Sequence, residues 1–283
     1  MTVRVAAVQP PLEPDDDLAH DKTIKRGLAL VVDAIEHGAQ IVCLPEYFAV
    51  IGLDRRDPAQ QMRLADAVLE RCRELCPAGV TILCPTVEFA GEHRYNTTWV
   101  LDGNGRADLY RKTHLTKSER VRRRLVPGDT LSVFEASGLR FGIASCYDMY
   151  FPETARVLAL AGARAIFFPA LQRAESLETI QLQVRVRALD NCVFVVRSAF
   201  GHPAQAAVRQ GITLGGTCVA DWEGRLVADL GVREGVLYFD VPTAAPPARL
   251  RSYEGEPDDP ARYLFEDRRP ELYRTISEVM QHH

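Results

Sequence analysis

Strand-like and helix-like segments alternate along both halves of this chain, and that alternation constrains the fold more than any other feature. Val3 to Val8 reads as a strand, about Leu18 to Glu36 as a helix, Ile41 to Leu44 as a strand and about Pro58 to Leu75 as a helix. A second run repeats the theme with Leu139 to Ser145, a helix from about Pro152 to Ala161, Ala165 to Pro169, a helix from about Leu177 to Asp190, and Cys192 to Ser198. Short apolar runs alternating with helical periodicity indicate an α/β layered fold. Val80 to Phe89, Thr97 to Leu101 and Ala107 to Arg111 are joined by the turn-rich Ala90-Gly91-Glu92-His93 and Asp102-Gly103-Asn104-Gly105. Such turns make hairpins, so antiparallel strands are added and the sheet is mixed. Gly216 to Ala220, Leu226 to Asp229 and Val236 to Val241 complete the second half, the first two joined by an Asp221-Trp222-Glu223-Gly224 turn.

No Gly/Ser or Pro linker separates the halves. The expectation is one domain over residues 1–241, with two sheets packed face to face and helices outside. From Pro242 the composition shifts to Pro, Arg and acidic residues, as in Pro246-Pro247 and Glu256-Pro257-Asp258-Asp259-Pro260. A segment with so little apolar content cannot build its own core, so residues 242–283 are expected to dock on the body or on another subunit.

The formal net charge of -4 gives no general attraction to nucleic acid or to anionic membranes. No apolar stretch approaches the ~20 residues needed to span a bilayer. Seven cysteines without a regular framework, and a start that leads straight into a strand, suit reduced thiols and a cytoplasmic location. A small-molecule substrate is the default expectation.

Cys146 ends the apolar run Leu139 to Ser145 and is followed by Tyr147-Asp148-Met149-Tyr150, with Phe151-Pro152-Glu153-Thr154 reading as a helix start. A strand thus delivers a thiol to a turn. Three other residues near strand ends complement it: Glu46 after Ile41 to Pro45, Lys112 after Leu109-Tyr110-Arg111, and Glu119 just beyond. A thiol at its free pKa near 8.5 is mostly protonated at neutral pH, and Glu46 could take its proton during attack. Lys112, with the backbone N–H after the nucleophile, could stabilise the oxyanion, each donor being worth roughly 3 kcal/mol. Glu119 could hold Lys112 charged and oriented, or bind and reprotonate a leaving amine.

These blocks resemble, in order, the signature segments of the nitrilase superfamily of carbon-nitrogen hydrolases: Leu44-Pro45-Glu46 with Tyr47-Phe48, Tyr110 to Leu115, and Ser145-Cys146-Tyr147-Asp148 with Phe151-Pro152-Glu153. The similarity extends to Val5 to Pro10, Pro127-Gly128-Asp129, Arg187 to Asn191 and Arg268 to Tyr273, and so to nearly the whole chain. The resemblance implies a four-layer α-β-β-α sandwich of two mixed sheets that pairs through its outer helices into a homodimer or higher homo-oligomer. It implies Glu46 as base, Lys112 as oxyanion cation, Cys146 as nucleophile and Glu119 as the second glutamate, with no metal or organic cofactor. Tyr47, Tyr147 and Tyr150 are the candidate substrate contacts, and Glu153 is expected to cap its helix.

Tyr147-Asp148 resembles amidases and N-carbamoyl hydrolases of that superfamily, whereas nitrilases tend to carry Trp-Glu there. The expected reaction is hydrolysis of a small amide or N-carbamoyl amine through a cysteine acyl-enzyme. Acyl transfer, action on a nitrile and a catalytically idle binding role are the alternatives. Several relatives have arginine in place of Tyr150, where it can pair with a substrate carboxylate; Tyr150 cannot form that clamp. The cluster Arg120-Val121-Arg122-Arg123-Arg124 reads as a solvated loop near the site mouth, with steering of an anionic group as the other reading. Phe200-Gly201-His202-Pro203 is either a plain loop or a source of an aromatic or histidine near the substrate. Cys72 and Cys76 lack partners at zinc spacing and are read as packing.

Overall fold

Strand β1 (Thr2–Gln9) carries a nearly unbroken apolar run because both of its faces are buried. Val3, Val5 and Ala7 turn one way and Ala6 and Val8 the other, as the two-residue period of a strand requires. The computed structural model describes residues 1–13, 18–53, 56–246, 249–250, 257–258 and 264–278.

The first sheet joins β1 to β2 (Ile41–Cys43), β3 (Thr81–Ala90), β4 (His93–Asp102), β5 (Ala107–Arg111) and β12 (Gly235–Pro242), in the order β12-β1-β2-β3-β4-β5. The pairs β1–β2 and β2–β3 are parallel and the others antiparallel. The second sheet contains β6 (Val133–Ala136), β7 (Leu139–Ile143), β8 (Ala165–Pro169), β9 (Phe194–Ser198), β10 (Cys218–Ala220) and β11 (Leu226–Asp229) in the order β11-β10-β9-β8-β7-β6. Its central pairs β7–β8 and β8–β9 are parallel, with antiparallel strands on each side.

Val5, Ile41 and Leu83 of the first sheet share a buried cluster with Phe141, Phe167 and Val196 of the second, so the two sheets pack face to face. Phe141 and Phe167 meet edge to face, 5.1 Å apart. Ser198 donates a 2.7 Å hydrogen bond to the Val8 carbonyl and ties β9 to β1. The opposite faces are covered by helices. Helices α1 (Ala19–Glu36) and α2 (Pro58–Leu75) contribute Val31 and Leu69 to a cluster with Ala6, Val42 and Ile82. Helices α4 (Pro152–Leu160) and α5 (Leu177–Asn191) contribute Leu158 and Val184 to one with Ile166 and Val195. The layers therefore run α-β-β-α, with two mixed sheets, as the sequence implied.

Several boundaries differ from the sequence reading for local reasons. β7 stops at Ile143: Ala144 N–H still donates to the Phe167 carbonyl of β8 at 3.0 Å, but Ser145 already leads into the 3-10 turn Cys146–Tyr150. β9 begins only at Phe194, since Cys192 closes α5 in the left-handed conformation. A short helix, α3 (Lys117–Val121), and the strand β6 were not anticipated. The expectation that Glu153 caps α4 is corrected. Phe151 occupies the N-cap without a side-chain bond, Pro152 fills the first turn, and Glu153 follows there, where a carboxylate favours the helix dipole.

Residues 1–244 form one compact unit and residues 245–283 a second. In the second, β13 (Arg249–Leu250) pairs antiparallel with β14 (Pro257–Asp258), and a short helix, α6, spans Arg274–Ser277. Part of the expected docking segment, including Glu256, Asp259 and Pro260, lies outside the described residues. Among the described residues no helix is long and apolar enough to cross a membrane.

Candidate active site

Glu46, Lys112 and Cys146 each follow a strand: Glu46 comes three residues after β2, Lys112 one after β5, and Cys146 three after β7. Because β2 and β5 belong to one sheet and β7 to the other, the sandwich brings both sheets' contributions together. The Lys112 ammonium donates to Glu46 Oε1 at 2.8 Å and to both oxygens of Glu119 at 2.9 and 3.0 Å. These side chains are almost wholly enclosed, with exposures of 2% for Glu46, 1% for Lys112 and 4% for Glu119. Cys146 is half-buried, and Glu46, Lys112 and the Leu171 backbone N–H lie near enough to act on its thiol. Leu171 N–H also donates to Glu46 Oε2 at 3.1 Å.

Backbone geometry aims these groups. Cys146 has φ 47° and Tyr47 has φ 62°, both in the left-handed region that costs a non-glycine residue roughly 1–2 kcal/mol. Each therefore turns the chain sharply at the residue that carries, or follows, the chemistry. Gly128 N–H donates to the Lys112 carbonyl at 2.9 Å, and a Cβ on Gly128 would lie 2.2 Å from the Arg111 carbonyl oxygen. Only glycine permits that close approach behind the lysine.

Glu119 is fixed by α3. It completes a capping box with Thr116, whose N–H and hydroxyl donate to Glu119 Oε2 at 2.8 and 2.9 Å. Tyr47 OH donates to Glu119 Oε1 at 2.5 Å, and Asn96 Nδ2 reaches Glu119 Oε1 at 3.0 Å and Glu46 Oε1 at 2.9 Å. Burial works to raise the pKa of Glu119, but Lys112, Tyr47 and the Thr116 backbone overcome it and hold the carboxyl at about 2. Burial likewise works to lower the pKa of Lys112, and Glu46, Cys146 and Glu119 reverse this, keeping the ammonium charged above its ordinary range. The Cys146 thiol is pushed well up by burial and by Glu46, more than Lys112 and Leu171 pull it down. At neutral pH the cluster therefore holds a thiol facing a carboxylate, not a preformed thiolate.

Asp148, fully buried, ties the lysine loop to the nucleophile turn. It accepts from Tyr110 OH at 2.6 Å, Ser145 N–H at 2.8 Å, His114 N–H at 2.9 Å and Thr113 Oγ1 at 3.1 Å. His114 Nδ1 lies 3.0 Å away, and its ring stacks on Phe151 at 3.9 Å. The sequence reading took Asp148 only as a pointer to substrate type; its structural signal, an acid three residues after Ser145 in a capping box, was missed. Asn96 was also missed, being a lone amide inside a strand. Arg197 was a third omission: it lies on β9, buried, with its guanidinium donating to the Gly215 and Gly216 carbonyls at 2.9 and 2.8 Å.

Of the candidate substrate contacts, Tyr47 reaches the catalytic cluster through Glu119. Tyr147 is half-buried with its ring edge-on to Phe151 at 5.3 Å. Tyr150 is exposed, and its hydroxyl donates to Glu175 Oε1 at 2.6 Å. Phe200 packs in the core behind the first sheet and His202 is buried, its N–H bonded to the Val232 carbonyl. Cys72 and Cys76 are buried packing residues. Among the described residues no group of three or more His, Cys, Asp or Glu side chains is arranged to hold a metal ion.

A family model described as carbon-nitrogen hydrolase matches residues 4–246. A nitrilase of Pyrococcus abyssi is 32% identical over 200 residues, covering 69% of this chain and 73% of its own length. Omega-amidase NIT2-B of Xenopus laevis is 30% identical over 237 residues, 77% of this chain and 82% of that protein. The amidase of Nesterenkonia sp. AN1, solved as a double mutant with acrylamide, superposes with a TM-score of 0.76 at 23% identity, covering 97% of each chain.

The site's pH response follows from Glu119. With its pKa depressed from an ordinary 4.5 to about 2, Glu119 contributes stability that is present above the ordinary value and is lost as pH falls towards about 2. Urea unfolding across that acid range should show the wild type losing stability more steeply than Glu119→Gln; parallel curves would contradict the assignment.

Proposed function

The chain belongs to the carbon-nitrogen hydrolase family, and from that premise we propose that it cleaves a small linear amide through an acyl-enzyme on Cys146. The observation that carries this reading is the enclosed cluster in which Lys112 bonds both Glu46 and Glu119 while Glu46 faces the Cys146 thiol.

Glu46 takes the thiol proton as the sulfur forms its bond to the amide carbon. Negative charge develops on the carbonyl oxygen, where Lys112 and the Tyr147 N–H receive it. Glu46 then returns its proton to the nitrogen as the carbon–nitrogen bond breaks, releasing ammonia or an amine. Water attacks the thioester, Glu46 accepts the water proton, and cleavage of the carbon–sulfur bond followed by reprotonation restores the thiol. Proton transfer from Cys146 to Glu46 leaves the cluster's net charge unchanged, which makes the step accessible despite the raised thiol pKa. Glu119, held at about 2 and saturated with donors, suits orientation of Lys112 rather than proton delivery.

The amide preference over a nitrile rests on the Tyr147-Asp148 pair and on likeness to an omega-amidase; the 32%-identical relative bearing the name nitrilase keeps the nitrile reaction as the competing reading. A cytoplasmic homodimer paired through the outer helices belongs to the same reading, supported by exposed Val157 on α4 and Leu182 on α5. Light scattering should return twice the 31.5 kDa chain mass, whereas a monomer at all concentrations would contradict the pairing.

Ammonia release from short aliphatic amides should vanish in Cys146→Ala and fall at least about 100-fold in Glu46→Gln, with the fold intact by circular dichroism. Retained turnover in Cys146→Ala would exclude the thiol mechanism.

A further inference from the structure

Among the described residues Arg197 is the largest side chain to be fully buried, 1% exposed, and it forms no salt bridge. Its guanidinium donates to two neutral acceptors, the Gly215 and Gly216 carbonyls, and its Nε has no partner. A guanidinium does not shed its proton at physiological pH. The cation therefore persists in the core, where a charge without a direct partner is costly unless negative charge lies within range.

The fold supplies that charge from the catalytic cluster. In the strand register Arg197 of β9 lies opposite Phe168 of β8 and Cys218 of β10. Strand alternation turns it, like Val195, to the helix side of the second sheet, and its guanidinium lies 5.8 Å from the centre of the Phe168 ring. Cys146 packs against the same cluster of Phe168, Val195 and Cys218. The row through Arg197 and Phe168 continues across β7 to Ala144, two residues before Cys146. At about 4.8 Å between neighbouring strands, Arg197 and the nucleophile stand roughly 10 Å apart. The Ser198 carbonyl accepts Ala170 N–H at 2.9 Å, bracing the loop whose Leu171 N–H bonds Glu46. Burial works to lower the Arg197 pKa, and negative charge on Cys218, Cys146, Glu46 or Asp229 opposes this, in that order. Asp229 is already engaged by Gln181 and by the Gly231 N–H.

We propose that Arg197 is a positioning residue for charge, a fixed cation behind the second sheet that balances the net negative Glu46–Lys112–Glu119 cluster and stabilises negative charge at the Cys146 sulfur. This rests on the reading of Cys146 as the nucleophile. When Cys146 passes its proton to Glu46, one negative charge moves from carboxylate to sulfur and the total is unchanged, so Arg197 favours the transfer only by as much as it acts more on the sulfur. When the thiol loses its proton to solvent while Glu46 stays ionised, the full attraction of Arg197 counts. Between unit charges roughly 10 Å apart, at an effective dielectric of about 20, that attraction is worth about tenfold in an equilibrium constant.

The test follows alkylation of the Cys146 peptide by iodoacetamide, a small neutral electrophile, from neutral to alkaline pH by mass spectrometry. Arg197→Gln should react about tenfold more slowly than wild type at alkaline pH, where charge on sulfur adds to that on Glu46, with a smaller loss at neutral pH. Cys218→Asp gives a second route, because it sets a carboxylate across the strand pair from Arg197 and keeps the arginine with both carbonyl bonds. It should slow Cys146 in the same way, whereas the uncharged Cys218→Asn should not, and the comparison stands even if Arg197→Gln does not fold. Unchanged alkaline rates in a folded Arg197→Gln, or equal rates in Cys218→Asp and Cys218→Asn, overturn the role of Arg197. Wild-type Cys146 that is not modified ahead of the other six cysteines would instead overturn the nucleophile reading, and this proposal with it.

Discussion

The ammonium of Lys112, clamped between the carboxylates of Glu46 and Glu119 in an enclosed space, is the interaction on which the rest of the site depends. Two buried carboxylates a single lysine apart could not both stay ionised without it. Removing one member of such a buried set leaves an uncompensated charge, at a cost of about 3–5 kcal/mol. The cluster avoids that cost through a full complement of donors: Asn96 serves both carboxylates, while Tyr47 and Thr116 serve Glu119. What remains is one surplus negative charge beside the Cys146 sulfur. Burial, and after it Glu46, keeps the thiol protonated at rest, and Glu46 is also the nearby acceptor for its proton.

Holding this arrangement requires the sandwich. Glu46 and Lys112 stand on one sheet and Cys146 on the other, and the interleaved Phe141, Phe167, Val5 and Leu83 set the separation between them. Asp148 then fixes the last ångström, because its carboxylate accepts from both the Tyr110–His114 segment and the backbone before Cys146. The left-handed turns at Tyr47 and Cys146 are tolerated because such packing over-determines them.

The architecture was legible in the sequence wherever burial on both faces produced short apolar runs, as in β1, β8 and β9. Strand ends were less legible: Ser145 follows the apolar run without a break in pattern, and only its capping box with Asp148 marks where the strand gives way to the turn. The half-exposed edge strand β6 and the five-residue α3 are too short and too mixed in pattern to announce themselves. Glu46, Lys112 and Cys146 could be named because each lies near the end of a strand run within a block that resembles the superfamily's signature segments. Asn96 and Arg197 could not, since a single polar residue inside a strand reads the same whether it faces solvent or a buried charge.

The most direct measurement of the central claim is intact-protein and peptide mass spectrometry after rapid acid quench of the enzyme turning over an amide. The account predicts transient addition of the acyl mass to the peptide containing Cys146, with no acylation of the other six cysteines. Turnover without any acyl adduct on Cys146, or with the adduct on another residue, would contradict it.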